Sequence, residues 1–138
     1  MKQNGAVYFY NLNSERGRQI RMLCLTLGLK IRVVDRAQYT EAIGAIAGVP
    51  GYSLSGETYK GEGFEDEMLI LKGFTGGMLD SFLRGFRKMK IQPVALKAVL
   101  TEANCGWNSL ELHDELVKEH ESMHSQTPSE VTDNKETE

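Results

Sequence analysis

Residues 6–34 read AVYFYNLNSERGRQIRMLCLTLGLKIRVV, and the apolar period changes twice within this run. AVYFYNL, residues 6–12, is short, aromatic and β-branched, which predicts a buried strand. Asn13 or Ser14 then offers an N-cap, because a short polar side chain accepts from the first free helical N–H groups. Ile20, Leu23, Cys24 and Leu27 follow at i, i+3, i+4 and i+7, which is one face of a helix. Gly28 stands where a left-handed residue would end that helix. LKIRVV, residues 29–34, alternates as a second strand. Short crossovers of this kind imply parallel strands connected right-handedly.

The same order of elements returns about 61 residues later. MLIL at 68–71 is a strand, GFTGG at 73–77 a turn with Thr75 as N-cap, and Leu79, Phe82, Leu83 and Phe86 repeat the helical face. IQPVALKAVL at 91–100 holds a strand with Pro93 at its start or on an edge, since proline lacks a ladder N–H. Each strand–helix–strand is followed by a further helix. Asp35 and Gln38 form a capping-box pair for one ending at Gly48, with Tyr39, Ile43, Ile46 and Ala47 inward. Asn108 and Glu111 form another, for a helix running to about Met123.

The pattern is therefore an internal repeat of two β-α-β-α units, about 6–48 and 67–123. The expected fold class is α/β, with both units in one small sheet flanked by helices. The alternative is interleaving as a ferredoxin-like α+β sheet. Between them, residues 49–67 show no period and contain Gly51, Gly56, Gly61 and Gly63. Loops this long are usually functional or mobile. Tyr52, Tyr59 and Phe64 would either pin it to the body or belong to a site. A single domain is expected over 1–126. TPSEVTDNKETE, residues 127–138, has five charges and no apolar period, which predicts a disordered acidic tail.

The chain has 138 residues, 41% hydrophobic and 25% charged, as in an ordinary soluble globular protein. No apolar run reaches 18 residues, and MKQNGAVYFY lacks the apolar core of a secretory signal. A cytoplasmic protein with no membrane contact and two reduced thiols is expected. The net charge of −3 divides into +5 over residues 1–101 and −8 over 102–138. The basic residues gather in two stretches: Arg16, Arg18, Arg21, Lys30, Arg32 and Arg36, then Arg84, Arg87, Lys88, Lys90 and Lys97. No acid interrupts the sequence between Arg84 and Lys97. Such asymmetry marks solvated helix faces, an internal electrostatic partner or nucleic-acid contact.

The most distinctive stretch is KAVLTEANCGW at 97–107, running into NSLELHDELVKEH at 108–120. It resembles an uncharacterised bacterial family classed as a domain of unknown function. That family ends a strand in Lys-Ala-x-Leu-Thr, then carries an Asn, a Trp and a helix of Glu-Leu repeats closing on Glu-His. The matching residues are Lys97, Ala98, Leu100, Thr101, Glu102, Asn104, Trp107, Leu110, Leu112, Glu119 and His120. The resemblance spans roughly residues 65–121. It implies the family's fold and assigns no activity.

In open α/β sheets, ligands bind beyond the carboxyl ends of the strands. Polar residues cluster in sequence at those positions: Asn11 and Ser14 after the first strand, Thr75, Gly76 and Gly77 after the third. Lys97, Thr101, Asn104 and Trp107 accompany the fourth. Together they form a candidate rim for a small anion, with free N–H groups at the helix start beside Gly76 and Gly77. The competing reading makes Asn11, Ser14, Thr75 and Asn104 caps, and Trp107 a plug. His113, His120 and His124 share a helix face, but the run is not HExxH, and no metal or cofactor is expected. Cys24 reads as a buried hydrophobe, and Cys105, before Gly106, as an accessible thiol. Phosphate-loop, dinucleotide and nucleophile-elbow motifs are missing from the sequence. The leading expectation is a non-catalytic interaction or regulatory module with a protein partner. The alternatives are a small-molecule or anion sensor or enzyme using the rim, and nucleic-acid binding through the basic body. Sequence leaves the oligomeric state open.

Overall fold

The computed structural model describes residues 5–125, with side chains through 122. The expected acidic tail, the domain boundary at 126 and the His124 side chain lie outside the described residues.

The elements are β1 (Ala6–Tyr10), α1 (Glu15–Leu27), β2 (Lys30–Val33), a 3-10 turn (Arg36–Gln38), α2 (Ile43–Ile46), β3 (Met68–Lys72), α3 (Gly76–Lys88), β4 (Leu96–Val99) and α4 (Ser109–Ser125). They form a mixed α/β fold with one four-stranded sheet, in the order β2-β1-β3-β4, flanked by helices. β1 and β2 are parallel, with Ala6 opposite Lys30, and so are β3 and β4, with Met68 opposite Leu96. The two pairs meet head to tail: β1 and β3 are antiparallel, with Ala6 opposite Lys72 and Tyr10 opposite Met68. The strands of each β-α-β segment are hydrogen-bonded neighbours, so the interleaved, ferredoxin-like alternative does not describe the sheet.

The pleat divides the core by parity. Val7, Phe9, Leu69 and Leu71 face α1 and α3, packing with Ile20, Leu23, Cys24, Phe82 and Phe86. Tyr8, Tyr10, Met68 and Ile70 face the other way, against Tyr39, Ile43 and Leu112. The central strands are covered on both faces, which is why AVYFY and MLIL are apolar without alternation. β2 is an edge strand, largely exposed, and carries Lys30 and Arg32, charges that discourage edge-to-edge pairing. α1 and α3 approach closely at Gly85, where a Cβ would lie 2.4 Å from the Leu23 side chain.

The caps follow the sequence. Ser14 accepts from Gly17 N–H and Thr75 from Met78 N–H, while Asn108 and Glu111 bond reciprocally at 2.8 and 2.9 Å. Gly28 ends α1 with φ 74°. The single helix expected from Asp35 to Gly48 is instead split. Ser109 N–H donates to Tyr39 C=O, Ile43 N–H to Trp107 C=O and Gly44 N–H to Cys105 C=O. Backbone groups that an unbroken helix would use are thus paired with the segment before α4, and Ala42 is extended in a bridge to Asn108. At the start of α4, Ser109 Oγ and Tyr10 OH share a buried 2.6 Å hydrogen bond. Among the described residues, no helix is long and apolar enough to cross a membrane.

Candidate functional site

The antiparallel β1–β3 pairing divides the expected rim. The carboxyl end of β1 lies beside the start of β3, so Asn11 and Ser14 sit at one end of the sheet. Thr75, Gly76, Gly77, Thr101 and Asn104 follow β3 and β4 at the other. The polar side chains at both ends bond within the fold. Asn11, left-handed at φ 61°, donates to Phe64 C=O at 2.8 Å and Asp66 C=O at 3.0 Å. Ser14 Oγ donates to Glu67 at 2.7 Å. Asn104 Oδ1 accepts from Thr101 N–H at 2.8 Å, and its Nδ2 donates to Val99 C=O at 3.1 Å. Trp107 packs against the core face that holds Tyr10 and Leu112. The nine residues do not converge on one crevice.

Lys97 leaves the rim altogether. Its register partner is Leu69, and its side chain lines a pocket between α3, β4 and the chain joining them. The pocket measures about 340 Å³, and its walls are Leu83, Phe86, Ile91, Pro93 and Val94. Arg87, Lys90 and Lys97 complete the lining, which contains no acid. None of these three cations makes an ion pair among the described residues.

Local structure explains how this lining arises. Leu83 and Phe86 lie on the inward stripe of α3, and Arg87 follows at its edge. α3 closes with Ile91 N–H donating to Phe86 C=O at 2.8 Å and Lys90 N–H to Arg87 C=O at 3.2 Å. That closure needs a left-handed residue, and Lys90 supplies it at φ 58°, where α1 uses Gly28. A side chain there is strained, so glycine would be the cheaper choice. Pro93 then turns the chain back toward β4. Lys97 Nζ donates to Val94 C=O at 3.0 Å, and burial holds its pKa below the ordinary lysine value. An apolar cleft with three cations suits a ligand with an apolar body and an acidic group.

The remaining candidates are occupied by structure. Glu41, buried, accepts from Ser55 N–H at 2.7 Å, Ser55 Oγ at 3.0 Å and Gly56 N–H at 3.0 Å, which fastens the 49–67 loop. The Ser55 N–H bond, foremost, holds its carboxyl below the ordinary value. Phe64 stacks between Tyr39 at 4.7 Å and His113 at 3.9 Å, and His113 pairs with Asp66 at 2.8 Å. A polar hollow of about 750 Å³ beside this stack is lined by Asn11, Asp35, Arg36, Glu62 and Glu65 among others. No group of three His, Cys, Asp or Glu residues is placed to hold a metal among the described residues. Cys24 is buried, which pushes its thiol up to about 12. Cys105, expected to be accessible, is buried as well, because the 105–107 backbone is tied to α2. α1 and α3, which carry part of each basic stretch, pack together, but Arg16 is paired with Glu67, Arg18 with Glu15, and Arg21 lies 5.3 Å over the Phe9 ring. Trp107 is on the opposite face.

The pocket lies wholly within residues 67–123. Residues 67–123 match the model of a family described as a domain of unknown function, DUF3783. No curated protein and no solved structure matches the chain. The matched segment runs from the residue before β3 almost through α4, so it contains β3, α3, β4, most of α4 and every residue of the pocket. The cations of the pocket are visible in the sequence, whereas their apolar partners are not. The acid-free run from Arg84 to Lys97 was the available signal, together with a lysine standing where a helix-ending glycine is usual.

Proposed function

We propose that this protein is a cytoplasmic, non-catalytic binding module whose α3–β4 pocket takes an acidic ligand with an apolar body. One observation carries this reading: Arg87, Lys90 and Lys97 close on apolar walls with no acid among them. Apolar walls strengthen any charge pair formed inside by excluding water. Lys97 already bears a desolvation cost, which an acidic ligand offsets. Arg87 offers a two-pronged donor for a carboxylate. The titratable groups of the lining are the Lys90 and Lys97 amines and the Arg87 guanidinium, all of them cationic partners for an acid. We also read the two β-α-β segments as copies of one unit. α1 and α3 both have 13 residues, and each follows a five-residue central strand.

The test uses octanoate, a simple ligand of this chemistry, titrated into labelled full-length protein and followed by amide NMR. Shifts should centre on residues 83–97 and weaken with added salt. Lys97→Met, which keeps the stem and removes the charge, should lower affinity several-fold. Millimolar octanoate that leaves residues 83–97 unmoved would overturn the reading.

A further inference from the structure

β4 is the outer strand on the pocket side of the sheet. In a parallel ladder, alternate residues turn both backbone groups toward the neighbouring strand. Leu100 N–H donates to Leu71 C=O, so Leu96, Ala98 and Leu100 face β3. Lys97 and Val99 therefore turn their N–H and C=O groups away from the sheet. The hydrogen bond from Asn104 Nδ2 to Val99 C=O bears this out, since that acceptor is used by a group outside β3. Among the described residues, the Lys97 N–H, the Lys97 C=O and the Val99 N–H remain open along the edge. The side chain of Lys97 enters the pocket, so the open edge and the pocket adjoin at one residue.

We propose that the partner is an extended acidic peptide that adds to the β4 edge as a fifth strand and lowers one apolar side chain into the pocket. This rests on the pocket being the binding site, and it names the occupant. Strand addition gives affinity through main-chain hydrogen bonds and specificity through pockets for alternate side chains. The pleat also sets the order of residues in the peptide. Side chains on the pocket face recur every second residue, so an apolar residue at i places residue i+2 on the same face, toward Arg87 and Lys90. That second residue should be acidic. The residue between them points to the opposite face, where α4 packs against β4 and carries Glu111, Asp114 and Glu115 against one cation, Lys118, so it should not be acidic. The other edge fits such a partner less well, because β2 is exposed on its flanks.

The probe is a heptapeptide of threonines with leucine third and glutamate fifth, both ends blocked, added to the full chain. Amide hydrogen exchange at Lys97 and Val99 should slow at least several-fold at saturation. Moving the glutamate to the fourth position should weaken binding about tenfold. Lys97→Pro removes an outward N–H while sparing the β3 ladder, and should bind peptide at least tenfold less well than Lys97→Met. Octanoate affinity should be similar in the two variants. Peptide binding with no protection of Lys97 and Val99, or octanoate binding without peptide binding, overturns strand addition and leaves the pocket reading standing. If neither ligand binds, the pocket reading fails with it.

Discussion

Replacing Lys90 by glycine should make the fold more stable and the pocket weaker. Lys90 sits at φ 58°, in the left-handed region, at the point where α3 closes. An L side chain there costs about 1–2 kcal/mol. Glycine removes that strain but gains about 0.4–1 kcal/mol of unfolded-chain entropy to be lost on folding. The balance favours Lys90→Gly by about 1 kcal/mol, or roughly 4 °C in Tm for a domain of this size. The same change takes one of three cations from the pocket, worth about 0.2–1 kcal/mol for a partly exposed charge and up to about fivefold in octanoate affinity. Lys90→Ala separates the two effects, because it loses the charge and keeps the strained conformation. Urea denaturation with an unchanged slope measures the stability change, and the NMR titration measures affinity. If Lys90→Gly is no more stable than the native chain, the backbone argument is wrong. If it binds octanoate as tightly, Lys90 does not serve the pocket.

Ser109→Ala should cost about 1–3 kcal/mol, because it leaves the buried Tyr10 hydroxyl unpaired, and Tyr10→Phe in the same chain should recover part of that. Strictly additive single effects in urea denaturation would argue against the pairing. Glu41 is held below its ordinary carboxyl value of 4.5, so its contribution is complete above that value and lost as pH falls through the lowered folded value. Ser55 and Gly56 amide protection should follow that profile, and in Glu41→Gln it should be lower at neutral pH and flat across the acid range. Gly17→Ala should destabilise strongly, because its Cβ would lie 2.1 Å from Leu12 C=O, whereas Gly76→Ala meets nothing within 4 Å and should stabilise α3 by up to about 1 kcal/mol. Equal melting temperatures for the two alanine variants would contradict this geometry.

Features that depend on neighbours in sequence were legible before any coordinates. Apolar periods mark β1, α1, β3 and α3, and Ser14, Gly28 and Thr75 mark helix ends as Asn108 marks the start of α4, because capping and amphipathic spacing act within one or two helical turns. The helix expected at 35–48 failed for the opposite reason. Its backbone partners lie more than 60 residues away, at Cys105, Trp107 and Ser109, and no local pattern announces them. The rim residues part for the same reason. Each β-α-β segment was readable alone, but nothing local says that β1 and β3 run in opposite directions, and that direction sends Asn11 and Thr75 to opposite ends. Even Lys97, a rim residue by its position in sequence, lies elsewhere. Its place in the pleat puts its amine in the α3 pocket and its amide on the open edge. Local chemistry thus set the elements and their caps, while strand direction and parity, which arise only when distant strands pair, chose which residues share a surface.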